Sequence, residues 1–451
     1  MEILGFVGLI GSLALLVYLT MKGINIIVSA ILCSVVVALL GGINVENAMM
    51  ESYMTGFVNY FKSWFFVFLL GAVFGKFMEV TGSADSIANW ISKKFGAKRA
   101  VFAVVAAAAI MTYGGVSLFV VGFAVYPIAV SLFREANLPH RFIPGALVFG
   151  SISFTMTSPG SPEIQNIIPT QFFGTTPTAG GWIGVLCALI IMIAGGLYLG
   201  RVVKKASANG EVFSLPKTSP LAAKEEMAAA LAAEKLDAES VKKEKDLPNV
   251  ILAILPLVLV IVLLNVLGQF MNPTIALLIG LIVGIADACI TMHKYLKEFW
   301  GSLAEGAQNS LVAIANTCAV VGFGSVAAAV PAFDSVVQAL VQTPGPPLLG
   351  LAIGVTLICG ITGSASGGLG IALPILAPIY TAQGLDPGAM HRISALASGG
   401  LDSLPHNGYV VTTIRAICGE EHKRAYKPIF ILSVVIPSIV LLLAVLLYTI
   451  F

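Results

Sequence analysis

The chain opens MEILGFVGLIGSLALLVYLT and continues as a series of apolar runs of about twenty residues, each the length an α-helix needs to cross a hydrocarbon core of about 30 Å. Lipid offers no partner to a backbone amide, so such runs have to be helical. Hydrophobic residues fill 57% of the 451 positions and charged ones 11%, a balance that excludes a soluble domain of this size. Glu2 and the lack of a basic cluster ahead of the first run make it a spanning helix and not a cleaved signal. A net charge of +2 gives no reason to expect a nucleic-acid partner. The six cysteines stand singly in apolar text without metal-ligand spacing, so they read as packing residues, and no cofactor or resident metal is expected.

One polar segment interrupts this pattern. Residues 201–247 hold nine basic and eight acidic side chains and an Ala-rich stretch, which reads as a solvated tether. The text on either side is self-similar. Runs at 3–21 and 24–41 correspond to 250–270 and 273–290, and 57–80 to 305–330. Pro127 and His140-Arg141 recur as Pro378 and His391-Arg392 at an offset of 251, and 181–203 recurs as 429–451 at an offset of 248. A stable offset over some 200 residues implies a duplication: a first repeat over 1–203, a linker over 204–247 and a second repeat over 248–451.

The middle of each repeat departs from a plain spanning helix. In the first, an apolar arm meets TYGGVS (112–117); in the second, one meets TGSASGG (362–368). Arms of 11–14 residues reach about 20 Å, short of a crossing. Lys98 and Arg99 precede the first arm pair and Arg134 and Arg141 follow it, so both ends belong on one side, as in a re-entrant hairpin. Each hairpin is followed by a span broken at its centre, at SPGSP (158–162) and at LPHNG (404–408). Such breaks persist only where protein or a wet cavity satisfies the freed backbone.

Three spans, a hairpin, a broken span and a last span give about five crossings per repeat, an odd number, so the repeats are expected to be inverted. With the linker in the cytoplasm both termini lie outside, and among the loop cations only Arg392 is left outside. The fold expected is thus an all-α polytopic membrane protein of two inverted repeats, the architecture of a secondary transporter.

In this arrangement the tips and breaks meet at mid-membrane, where free N–H groups favour an anion. The candidate substrate contacts are Thr112, Gly114, Gly115 and Ser117 at one tip, and Thr362, Gly363, Ser364, Ser366 and Gly367 at the other. Ser158, Gly160 and Ser161 of the first break and His406, Asn407 and Gly408 of the second complete them. Gly368 is expected, with the other tip glycines, to let backbone and ligand approach closely. Histidine titrates near neutrality and a carboxylate at this depth is costly to keep charged, so Asp402 and His406 are candidate carriers of a coupling proton, with Glu163 and Asn166 as further coupling-ion candidates. Carbonyls freed at the two breaks are alternative ligands for sodium. Ser161-Pro162-Glu163 also reads as a helix N-cap with proline at the first helical position. Lys62 either snorkels or faces the cavity, Gln308, Asn309 and Asn316 either line a polar path or bond between helices, and Arg392 either draws anions inward or marks a helix end. A channel would need a continuous hydrated path, and an enzyme a nucleophile–base pair or metal ligands; neither pattern is present.

At GGLDSLPHNG (399–408) with TIRAICGEEHKRAY, and at TSPGSPEIQNIIPTQFFGTTPTAGG, the chain resembles the gluconate:proton symporter family of bacterial permeases over essentially its whole length. The resemblance implies a bacterial inner-membrane symporter with an elevator mechanism, a homodimer, and a site formed by 112–117, 158–166, 362–368 and 402–408. It implies a transport domain of about 99–173 plus 346–420 moving against a scaffold. Members associated with gluconate carry an SHVND-type sequence at the second break, whereas this chain has SLPHNG and is more similar to the 3-hydroxybutyrate branch. The expected cargo is therefore a small hydroxy- or keto-monocarboxylate moved with protons; the alternative is a sodium-coupled citrate- or dicarboxylate-type symporter.

Overall fold

A computed structural model describes residues 2–22, 24–116, 118–222, 247–405 and 407–451. All its regular elements are helical and, apart from the four-residue helix Phe154–Thr157 and three 3₁₀ turns, the described helices fall into two series of nine in matching order. The first comprises α1 (Glu2–Met21), α2 (Ile26–Leu40), α3 (Val45–Val80), α4 (Ser83–Phe95), α5 (Ala100–Tyr113), α6 (Leu118–Glu135), α7 (Ile143–Ile152), α8 (Ile164–Phe173) and α9 (Gly181–Ala208). The second comprises α10 (Val250–Leu267), α11 (Pro273–Thr291), α12 (Phe299–Ala328), α13 (Pro331–Val341), α14 (Pro347–Thr362), α15 (Ala365–Ala382), α16 (Pro387–Ser398), α17 (Gly408–Val411, continued as a π-helix over Thr412–Ile417) and α18 (His422–Ile450). Capping chemistry repeats as well. The side chains of Asn25 and Asn272 each accept the N–H two residues on, starting α2 and α11.

Seven of the described helices are long and apolar enough to cross a bilayer, or eight if a bent pair counts as one span. One hairpin arm, α15, is among the seven; the rest are the shorter apolar helices, the other arms, the broken segments and two amphipathic helices, each of which falls short alone. In the hairpin arms, α5 and α14 run 14 and 16 residues, about 21 and 24 Å. The amphipathic helices α4 and α13 are absent from the expectations above. They turn the chain between each third span and its hairpin, and α4 meets the next helical segment at a bend of 100°.

Helices α3 and α12 cross closely because small residues sit at the contact. A Cβ on Gly56 would lie 2.0 Å from Ser325 Oγ, one on Gly322 2.9 Å from the Tyr53 ring, and one on Gly306 2.9 Å from the Val73 backbone. Tyr53 and Gly56 near the start of α3 meet residues 322–325 of α12, while Val73 further along α3 meets Gly306, so the two run antiparallel. Large apolar side chains point outward all around the bundle, among them Ile10 on α1, Phe66 on α3, Ile193 on α9 and Ile290 on α11. In water they would be a liability; in lipid they are the solvent-facing surface.

Each half braces the broken span of the other. His140, 2% exposed, meets Glu420 at 2.8 Å beyond the second break. Its counterpart His391 contacts Thr175 Oγ1 at 2.6 Å and Asn166 Oδ1 at 3.2 Å beyond the first. The start of the linker follows the same surface. Arg141 holds Glu211 with two 2.7 Å bonds, and Ser219 contacts the Tyr126 hydroxyl at 2.7 Å. Arg141 keeps the Glu211 carboxyl below the ordinary glutamate range. The tether expected over 204–247 is therefore docked at its start, while 223–246 lies outside the described residues.

Candidate functional site

Both tips and both breaks face one cavity of about 400 Å³. Gly115 reaches it from the first tip and Glu163 from the first break; Thr362, Gly363, Ser364 and Ser366 reach it from the second tip, and Asp402, Asn407 and Gly408 from the second break. Helices α3 and α12 close the far side with Phe68, Gly71, Asn316 and Thr317. Tip geometry depends on Gly115 at φ +88° and Gly363 at φ +59°, left-handed conformations that side chains other than glycine rarely adopt.

The two breaks are built alike. The Asn166 amide donates to the carbonyls of Ser161, five residues back, at 2.8 Å and of Pro177 at 2.9 Å. Asn407 donates to Asp402, also five residues back, at 3.0 Å and to Gly363 at 3.1 Å, while its Oδ1 accepts the Val410 N–H at 2.9 Å. In each half, then, an asparagine replaces the helix ladder that the break removes. Asn166 is fully buried and lies off the cavity, and the contacts it makes brace the break.

Arg392 does not face outward. It is fully buried, and its guanidinium donates to the carbonyls of Thr157, Pro177 and Ala179, tying α16 to the first break and to the turn before α9. Neither a lure for anions nor a helix-end marker describes it. A planar fork with five donors can satisfy several carbonyls at once, which an ammonium cannot.

Other expected residues separate into those that line the cavity and those that shape it. Thr112 and Ser161 are fully buried, and Ser158 and Gly160 also lie off the cavity. Ser158 donates to Phe154, Ser161 accepts the Glu163 N–H, and Gly160 donates to the Pro177 carbonyl. Gly114 packs on Leu257, Gly367 gives its N–H to Ser364 Oγ, and Gly368 lies against Cys359, so these glycines serve packing and capping. Helix α8 starts at Ile164, which puts Pro162 before the helix and makes Glu163 the N-cap residue with no side-chain cap bond. Ser117 and His406 lie outside the described residues. Of the polar residues in the third spans, Asn316 lines the cavity, whereas Lys62, Gln308 and Asn309 do not; Glu305 pairs with Lys76 at 2.8 Å.

Among the lining residues that the sequence reading does not name individually are the polar Thr20, Gln165, Thr317 and Tyr409. Gln165 and Thr317 are polar positions within apolar spans, a detectable signal, but nothing local says which face of the helix they occupy. Glu163 and Asp402 are the acidic side chains of the cavity, and its described lining contains neither lysine nor arginine. Asp402 is 4% exposed and accepts a 2.8 Å bond from Ser403.

A lipid-facing helical bundle that gathers broken helices around a cavity holding two carboxylates and several hydroxyls and amides defines a multi-pass membrane transporter. Residues 3–400 match the family model of the GntP family permeases, and the chain belongs to that family. It is 37% identical over 460 residues to the uncharacterized transporter YxjC of Bacillus subtilis (strain 168), covering 94% of each chain. The fold is similar to that of the Alcanivorax borkumensis YdaH transporter, with a TM-score of 0.53 at 15% identity over 88% of this chain and 87% of the other. The Neisseria gonorrhoeae MtrF structure aligns with a TM-score of 0.46 at 14% identity over 88% and 83%.

Proposed function

We propose that the protein takes up a small hydroxy- or keto-monocarboxylate, of the 3-hydroxybutyrate kind, together with protons. The observation that carries this reading is the composition of the cavity: the hydroxyls of Thr362, Ser364 and Ser366 at the second tip, the amides of Gln165, Asn316 and Asn407, two carboxylates, and no lysine or arginine among the described lining residues. A volume of about 400 Å³ suits a small acid. Adding an anion to Glu163 and Asp402 as carboxylates costs about 2–4 kcal/mol per charge pair at an effective dielectric near 20. A proton that travels with the substrate removes that repulsion, which couples the two movements. The family match supports transport of an organic anion.

In this reading the two series of nine helices are inverted repeats with both termini outside, in a bacterial inner membrane. Segments 99–173 and 346–420 form a transport domain that slides as an elevator against a scaffold, the whole working as a homodimer. Uptake of labelled 3-hydroxybutyrate into proteoliposomes, under an imposed pH gradient with and without sodium, tests it. The expected result is accumulation driven by the pH gradient alone. Accumulation that requires sodium and ignores pH would overturn the coupling.

A further inference from the structure

A second hollow, of about 600 Å³, is stacked on the first. Four helices line both, and on each of them a residue lining one hollow lies four positions from a residue lining the other. Trp64 and Phe68 on α3, Ile168 and Ile164 on α8, Val321 and Thr317 on α12, and Gly370 and Ser366 on α15 give the outer and the central member of each pair. The layer between them is thinnest at Val320, which lines the central cavity, and Val321, which lines the outer hollow; on the other helices three or four residues, about 4.5–6 Å of helix, separate the two spaces. The numbering descends toward the outer hollow on α3 and ascends on α8, α12 and α15, as it must if both hollows share an axis with α3 antiparallel to α12.

The outer hollow is wet by construction. Ser52, Thr55, Asn59 and Ser63 fall at helical spacing on α3 and all face it, a polar stripe in a span that would otherwise meet lipid. The layer between the hollows has an aromatic centre. Tyr60 is 4% exposed and lies against Gly370 so closely that a Cβ there would come within 2.7 Å of its ring. Trp64 stands beside it, ring centroids 6.3 Å apart. Val321 lies against the same glycine.

We infer that the outer hollow is an access vestibule for the organic anion, leading to the central cavity, and that the Tyr60 ring seated on Gly370 is the barrier between them. The anion rests on the function proposed above; the barrier does not. Rotation of one ring is a smaller movement than displacement of the whole transport domain, so access from this face is set by the Tyr60–Gly370 contact.

The test is thiol labelling with a membrane-impermeant methanethiosulfonate, applied from each face separately. Ser63→Cys is expected to react from one face only, with reaction blocking uptake. Thr317→Cys, in the central cavity, is expected to react slowly from that face, and faster by roughly an order of magnitude once Tyr60→Ala is added. Tyr60→Phe, which keeps the ring, is expected to leave the Thr317→Cys rate unchanged; should Tyr60→Ala fail to insert, Trp64→Ala opens the same layer and is read in its place. A Ser63→Cys that stays unreactive from both faces, or a barrier variant that leaves the Thr317→Cys rate where it was, overturns the proposal. These rates need no substrate, so an error in the carboxylate assignment shows in the uptake assay and leaves the labelling result standing.

Discussion

Replacing Arg392 with methionine should destabilise the fold by about 2–4 kcal/mol and leave the apparent affinity for substrate in the folded fraction nearly unchanged. The magnitude follows from what its three carbonyl partners keep. Pro177 O still accepts Gly160 N at 2.8 Å and Asn166 Nδ2 at 2.9 Å, so it loses little. The carbonyl of Thr157, in a residue 4% exposed, loses its guanidinium donor and has no water to replace it, at about 1–3 kcal/mol. Ala179 O loses two bonds but is half-buried and recovers part of its hydration. Removing a fully buried charge returns some of the cost. Arg392→Lys restores one donor direction and should recover less than half of the loss. Reversible unfolding in mixed detergent micelles, followed by tryptophan fluorescence, measures the change. An unchanged midpoint together with a raised substrate KM would refute the reasoning, because the guanidinium would then be meeting the anion and not the break.

Asp402→Asn should abolish pH-driven accumulation while sparing exchange of internal for external substrate; full accumulation by this variant ends the coupling role. In Gly368→Ala the new Cβ would lie 2.5 Å from the Cys359 Cα, so the two arms of the hairpin must separate. That should cost about 1–3 kcal/mol and cut uptake, and Cys359→Ala should not rescue it, since the obstacle is backbone. Ser364→Ala removes the cap on Gly367 N–H and should lower stability by about 0.5–2 kcal/mol, read as a thermal shift. Arg141 holds the Glu211 carboxyl below its ordinary value of 4.5, so the contribution of this pair is complete above that value and is lost as pH falls through the lower, folded one. Tryptic cleavage after Lys217 should therefore be constant across neutral pH and faster in Glu211→Gln.

The matching order of the two helix series, both glycine tips and both proline breaks are legible in the sequence because each recurs or disturbs a long apolar text at a matching place. Helices α4 and α13 are not, since amphipathic segments lying between spans interrupt no pattern that a search for crossings follows. Roles within the site are legible only in part. Serine, asparagine and glycine at a break are needed both by the ligand and by the broken backbone, and composition does not distinguish the two demands. Asn166 and Ser161 serve the backbone; Ser366, Gly363 and Asp402 reach the cavity. Arg392 is the sharpest case: it is the outer cation of the charge pattern, yet three carbonyls that lie far away in sequence bury it.

The docked start of the linker sets a mechanical bound. Helix α9 ends at Ala208, and Glu211 is already clamped to Arg141 at the foot of the first broken span. Three residues stretch to about 10 Å at most. If α9 stands still while the segment carrying Arg141 travels, that short leash allows a stroke of about that length. A longer stroke must unwind the end of α9 or tear Glu211 free, so the reach of the moving part is written into the spacing between two neighbouring anchor points.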